Sequence, residues 1–81
     1  MQAELYQRVA LKRDLQLHQL RAGDVAYLVD RAPHPSGGEP GCVLEVFNAL
    51  GESIAVVTVP ESDIEPLSAD EVLSIRRLKA S

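Results

Sequence analysis

The sequence predicts a mostly β fold, a small barrel of five short strands with a short C-terminal helix or an extra strand. Three observations carry this. The 81 residues suffice for one domain, taken as residues 1–81. Short apolar runs rich in β-branched residues recur between turn signals, as in all-β domains. Five short strands would also leave reactive edges unless the sheet closes on itself.

Tyr6–Lys12 alternates around Val9 and Leu11, the mark of a half-exposed first strand. A long irregular loop, Arg13–Gly23, follows. Its end at Gly23-Asp24 is a tight turn needing φ > 0, which only Gly adopts cheaply. Asp24–Ala32 carries Val25, Ala26, Tyr27, Leu28 and Val29 in one run, which predicts a strand buried on both faces. Pro33–Pro40 holds three prolines and two glycines and cannot carry a ladder. Gly41–Asn48 is a third strand, with Cys42, Leu44 and Val46 on one face and Val43, Glu45 and Phe47 on the other. A hairpin loop places Gly51 in the left-handed region. Ser53–Val59 is a fourth strand, Glu61–Asp63 a helical turn, and Ile64–Leu67 a short closing strand. Ser68 and Glu71 form a capping box, and Val72, Ile75 and Leu78 recur at helical spacing, so a short helix is expected there over a sixth strand. This order of elements suggests an SH3-like barrel.

The core must be aliphatic, because the chain has only Tyr6, Tyr27 and Phe47 as aromatics. A lone Cys42 has no disulfide partner and fits a reducing compartment. No signal peptide and no run of about 18 apolar residues is present. Cytoplasmic location is the expectation, with no membrane partner. The net charge of −4 is unevenly spread. From Ala32 to Glu71 there is no Lys or Arg, while Glu39, Glu45, Glu52, Glu61, Asp63, Glu65, Asp70 and Glu71 all fall there. Such a block repels phosphates and serves either solubility or a basic partner. The close basic cluster Arg76, Arg77 and Lys79 is too small for nucleic-acid binding.

Leu11–Leu15, Leu20–Val29, Val43–Phe47 and Ala55–Val59 resemble a short bacterial family, common in cyanobacteria, of unknown function. The resemblance runs from about Tyr6 to Leu78 and implies a small stand-alone SH3-like protein with no assigned chemistry. Some members lie beside a second short reading frame, which implies a two-protein pair with this chain as the neutralising, antitoxin-like half. The Gly23-Asp24 core is also similar to the KOW motif of ribosomal and transcription proteins. Here Ala26 replaces the second glycine, and the basic and aromatic residues that meet RNA are lacking.

No constellation demands catalysis. His18, His34 and Cys42 match no zinc spacing, and Cys42 beside apolar Leu44 and Val46 reads as a small core hydrophobe. The carboxylate pairs lie at turns, and Gly37-Gly38 lacks the Lys-Ser/Thr of a phosphate loop. No catalytic, metal-binding or cofactor-binding residue is therefore expected, and the chain reads as a non-enzyme. The surface remains. The Pro33–Gly41 loop and the acid block nominate Glu61, Asp63, Glu65, His34 and Glu39 as partner-binding residues, with Gly23, Asp24 and Gly51 structural. Leu15, Leu17 and Leu20 are expected to fold back over the barrel mouth, at least two of the three. A protein-binding module is the leading reading, ahead of a KOW-like nucleic-acid domain and of a structural subunit or homo-oligomer.

Overall fold

Alternation along three central strands selects an aliphatic core and leaves the aromatics outside it. The computed structural model describes residues 4–78. Its strands are β1 (Arg8–Leu11), β2 (Val25–Ala32), β3 (Gly41–Phe47), β4 (Ser53–Pro60) and β5 (Ile64–Pro66). They form one antiparallel sheet in the order β4-β3-β2-β1-β5. After β4 the chain makes a 3-10 turn, Glu61–Asp63, and β5 returns to lie beside β1 with Ile64 opposite Leu11. The sheet is unclosed, with β4 and β5 as its edges.

The expected alternation of β3 is observed: Cys42, Leu44 and Val46 are buried. Val9, Leu28, Val57 and Val59 join them, with Leu11, Leu20 and Ala26. β2 differs from the two-sided burial expected of it. Ala26 and Leu28 are buried but Tyr27 is 38% exposed, because the domain has one sheet and no described layer covers its outer face. Val29 falls at a register shift between Leu28 and Asp30, the extra residue of a bulge that bends the strand. β1 starts two residues later than its pattern suggests, since Tyr6 has φ 67° and cannot extend the strand.

The turn glycines behave as their sequence context requires. Gly23 has φ 91° and Gly51 φ 81°. The Gly23 amide donates to the Leu11 carbonyl at 2.8 Å, and the Asp24 carboxylate accepts from the Arg21 amide at 2.8 Å. In the long first loop, a 3-10 turn at Gln16–His18 is bracketed by a Leu15–Leu20 bridge. Leu20 is buried and Leu15 packs on the core, while Leu17 is 98% exposed; two of the three leucines fold back.

The expected C-terminal helix is absent among the described residues, and so is a sixth strand. Residues 67–78 form an irregular arm. Only half of the capping box forms: the Ser68 amide donates to Glu71 Oε1 at 2.6 Å, but the Ser68 hydroxyl turns to Asp70 and the Glu71 amide donates to the Ser68 carbonyl at 3.2 Å, closing a turn. A helix this short is marginal without packing, and Val72 and Ile75 are 91% and 90% exposed, so no apolar surface supports one. Instead Arg76 folds back onto Asp24. Lys79, the third member of the basic cluster, lies outside the described residues.

Candidate partner-binding surface

The acidic residues singled out in the sequence gather in part. The 3-10 turn after β4 collects three of them. Glu61 pairs with Arg31 of β2 at 3.3 Å. Asp63 is buried and pairs with Arg13 Nε at 2.8 Å. Glu39 accepts from the amide and the hydroxyl of Ser62, both at 3.0 Å, and the Glu61 amide donates to the Pro40 carbonyl at 3.1 Å. Glu39 therefore ties the Pro-rich loop to the turn. His34 stands apart in that loop: its Nδ1 accepts from the Ser36 amide at 3.0 Å. Glu65 sits on the outer edge strand opposite Ala10 and is exposed. Among the described residues, it is the one carboxylate of the acid block with neither a hydrogen bond nor an ion pair.

Cys42 is fully buried opposite Arg31 and Val59. Burial pushes its thiol pKa up, the Glu61 charge adds to this, and Arg31 opposes it. A raised pKa suits an inert core thiol, since nucleophilic cysteines are the depressed ones. Among the described residues, no group of three or more His, Cys, Asp or Glu could hold a metal ion.

A second ensemble joins the Gly23 turn to the arm. Asp24 accepts from Arg76 Nε at 2.8 Å and from a terminal guanidinium nitrogen of the same residue. Arg76 also donates to the Gln19 carbonyl at 3.1 Å. Burial raises the Asp24 pKa, but the hydrogen bonds and charges of Arg76 and Arg21 outweigh it and hold the carboxyl below its ordinary 3.8. The arm thus crosses the end of the sheet and leaves an open groove of about 1070 Å³, with Phe47 and Ile54 on one wall and Val72 and Ile75 on the other.

The outer sheet face carries what the sequence reading missed. Tyr27 and Phe47 meet edge to face, with ring centroids 5.5 Å apart and planes at 89°. Glu45 stands directly opposite Tyr27 on one side and Val56 on the other. Its carboxylate accepts from the Ser53 hydroxyl at 2.7 Å. Val56 is 61% exposed and Tyr6 72% exposed, so all three aromatics reach solvent. The signal was present in the parity of β3, which sets Phe47 and Glu45 on the face opposite Cys42.

These features define a small all-β domain with an aliphatic core on one side of its sheet and an aromatic, carboxylate-bearing face on the other. The chain belongs to the DUF4926 family, a domain of unknown function, whose match spans residues 5–66. The resemblance to a family of unknown function is met over the sheet. It stops at Pro66, the end of β5, and not at Leu78, leaving the arm outside the family's span. No curated protein and no solved structure matches the chain.

Proposed function

We propose that this chain is a non-catalytic protein-binding module, an SH3-like barrel in outline, that docks a basic partner on the outer face of its sheet. The observation that supports it most is the exposure of Tyr6, Tyr27 and Phe47. Aromatic side chains bury the largest apolar areas, yet here they sit outside the core, and aromatics at the surface are the residues enriched in interfaces and their hot spots. Glu45 between Tyr27 and Val56 gives the patch its chemistry. A partner Lys or Arg can place its charge against the carboxylate and its stem or cation against the rings. The barrel reading is supported by the return of β5 to β1 across a 3-10 turn, which begins to curl the sheet. No described helix is long and apolar enough to cross a membrane. We assign the chain to the cytoplasm, where Cys42 stays reduced, as the neutralising half of a two-protein pair.

The test is binding to the product of the neighbouring short reading frame by calorimetry. Phe47→Ala and Tyr27→Ala should each weaken binding roughly tenfold or more, the effect of losing a hot-spot aromatic. Glu45→Lys should weaken it and slow association. Unchanged affinity in all three variants would refute the reading. Because Asp63 is buried and Glu61 is held by Arg31, charge reversals there would disturb the turn, so Glu45 and Glu65 are the reversals that address docking. Anisotropy titration with DNA and RNA at about 0.15 M salt should show no binding. Three of the basic residues, Arg13, Arg31 and Arg76, are already paired with carboxylates, and micromolar affinity would instead favour a KOW-like role.

A further inference from the structure

The two edges of the sheet are unlike. β5 is three residues long and ends in Pro66, too short and too blunt to template another strand. β4 runs for eight residues, Ser53–Pro60, and between Ser53 and Val59 it has no charge and no proline. Natural edges are guarded by lysines, prolines, bulges or a covering element. On β4 the register shift lies only at its entry, opposite Phe47, and among the described residues no strand pairs with its free side. Val56 is 61% exposed on its outer face, and Ile54, the extra residue of that shift, is 42% exposed.

We propose that β4 pairs antiparallel with β4 of a second copy of this chain, across a two-fold axis through Val57, giving one continuous ten-stranded sheet. The second copy is the occupant for three reasons. A strand related to itself by a two-fold axis is antiparallel and self-complementary, the isologous arrangement of most homodimers. An uncharged strand meets no repulsion from its copy, although the chain carries a net charge of −4. The register centred on Val57 also keeps like faces together: Val56 stands opposite the copy's Thr58, Ile54 opposite Pro60, Ala55 opposite Val59, and Ser53 opposite Glu61. No carboxylate then faces another. The pairing does not depend on the basic-partner reading, since it uses the backbone edge and not the Tyr27–Phe47 patch.

The test is light scattering coupled to size exclusion, from about 1 µM to about 1 mM, the range over which weak association becomes populated. The parent chain should rise from 8.8 kDa to twice that mass. Val56→Lys with Thr58→Lys sets two like-charged pairs across the axis and should hold the chain at the monomer mass. Both positions are exposed, and circular dichroism confirms that each variant remains folded. Val56→Lys with Thr58→Glu sets each Lys against the copy's Glu and should restore the dimer. A parent that stays monomeric throughout would overturn the proposal, as would a dimer that survives the double-Lys change. Failure of the Lys/Glu variant to dimerise would overturn the Val57 register.

Discussion

Removing Arg13 should destabilise this domain more than removing Asp63, although Arg13 is the exposed member of the pair. The Arg13 side chain is 66% exposed, the Asp63 side chain 10%, and Nε lies 2.8 Å from the carboxylate. Arg13→Ala strands a carboxylate that is almost wholly out of water. Breaking a buried pair from one side costs about 3–5 kcal/mol; the residual access of Asp63 to solvent puts the cost near the lower end, about 3 kcal/mol. Asp63→Ala leaves a guanidinium that already has two-thirds of its surface in water and simply rehydrates. The loss is then one charged hydrogen bond, about 1.5 kcal/mol. Each kcal/mol moves the melting temperature of a domain this size by about 4–8 °C. Arg13→Ala should therefore melt about 12–24 °C lower and Asp63→Ala about 6–12 °C lower. Urea denaturation followed by circular dichroism gives the same comparison at one temperature. If Asp63→Ala proves as costly as Arg13→Ala, the carboxylate is not the desolvated partner and the assignment of Asp63 as a structural residue fails.

Gly23→Val should cost about 1–3 kcal/mol through backbone strain. At φ 91° its Cβ would meet no atom within 4 Å, so the loss is conformational and not a clash, and an unchanged melting temperature would show that the turn relaxes freely. Cys42 should react with a thiol reagent many-fold more slowly in the native protein than in urea, and fast native labelling would contradict its burial. Asp24 should give the domain an acid-sensitive contribution. Its folded pKa lies below the unfolded value, so the stabilisation is complete above about pH 4 and fades as pH falls through the folded value. Arg76→Ala should flatten that decline in a series of urea melts, and an identical slope in parent and variant would exclude the Asp24–Arg76 pair as its source.

The strands were legible because β3 and β4 announce a period of two through β-branched residues, and the turns because Gly23 and Gly51 stand where only a positive φ continues the chain. Burial on β2 was misread for a physical reason. A continuous apolar run is the same string whether both faces meet protein or one face is left open, and Tyr27 falls in the second case. The arm shows the opposite failure. Ser68 and Glu71 form one of the two bonds of the capping box that local sequence encodes, and a cap starts a helix only where an apolar stripe finds something to pack on. Val72 and Ile75 are 91% and 90% exposed and bury little against the described residues, so the local signal is obeyed for one turn and then lost.

Charge was the least legible property, because a sequence lists charges by position while the fold pairs them across distance. The stretch from Ala32 to Glu71 contains no cation, yet Arg31 reaches Glu61 across 30 residues and Arg13 reaches Asp63 from the first loop. Asp24, outside the block, is met by Arg76 across 52 residues. Each of these pairs joins a segment early in the chain to one after β4: Glu61 and Asp63 hold the turn before β5 against β2 and the first loop, and Asp24 holds the arm. Among the described residues the other six carboxylates of the block, Glu39, Glu45, Glu52, Glu65, Asp70 and Glu71, pair with no cation; Glu45 stands on the proposed docking face among the aromatics and Glu65 on the short edge. The proposed docking surface draws its specificity from a carboxylate set in apolar surroundings, where one misplaced charge is costly, and its long-range attraction from the six block carboxylates that no cation neutralises. Its association rate should accordingly respond to salt as six unpaired carboxylates dictate, and less steeply than eight would.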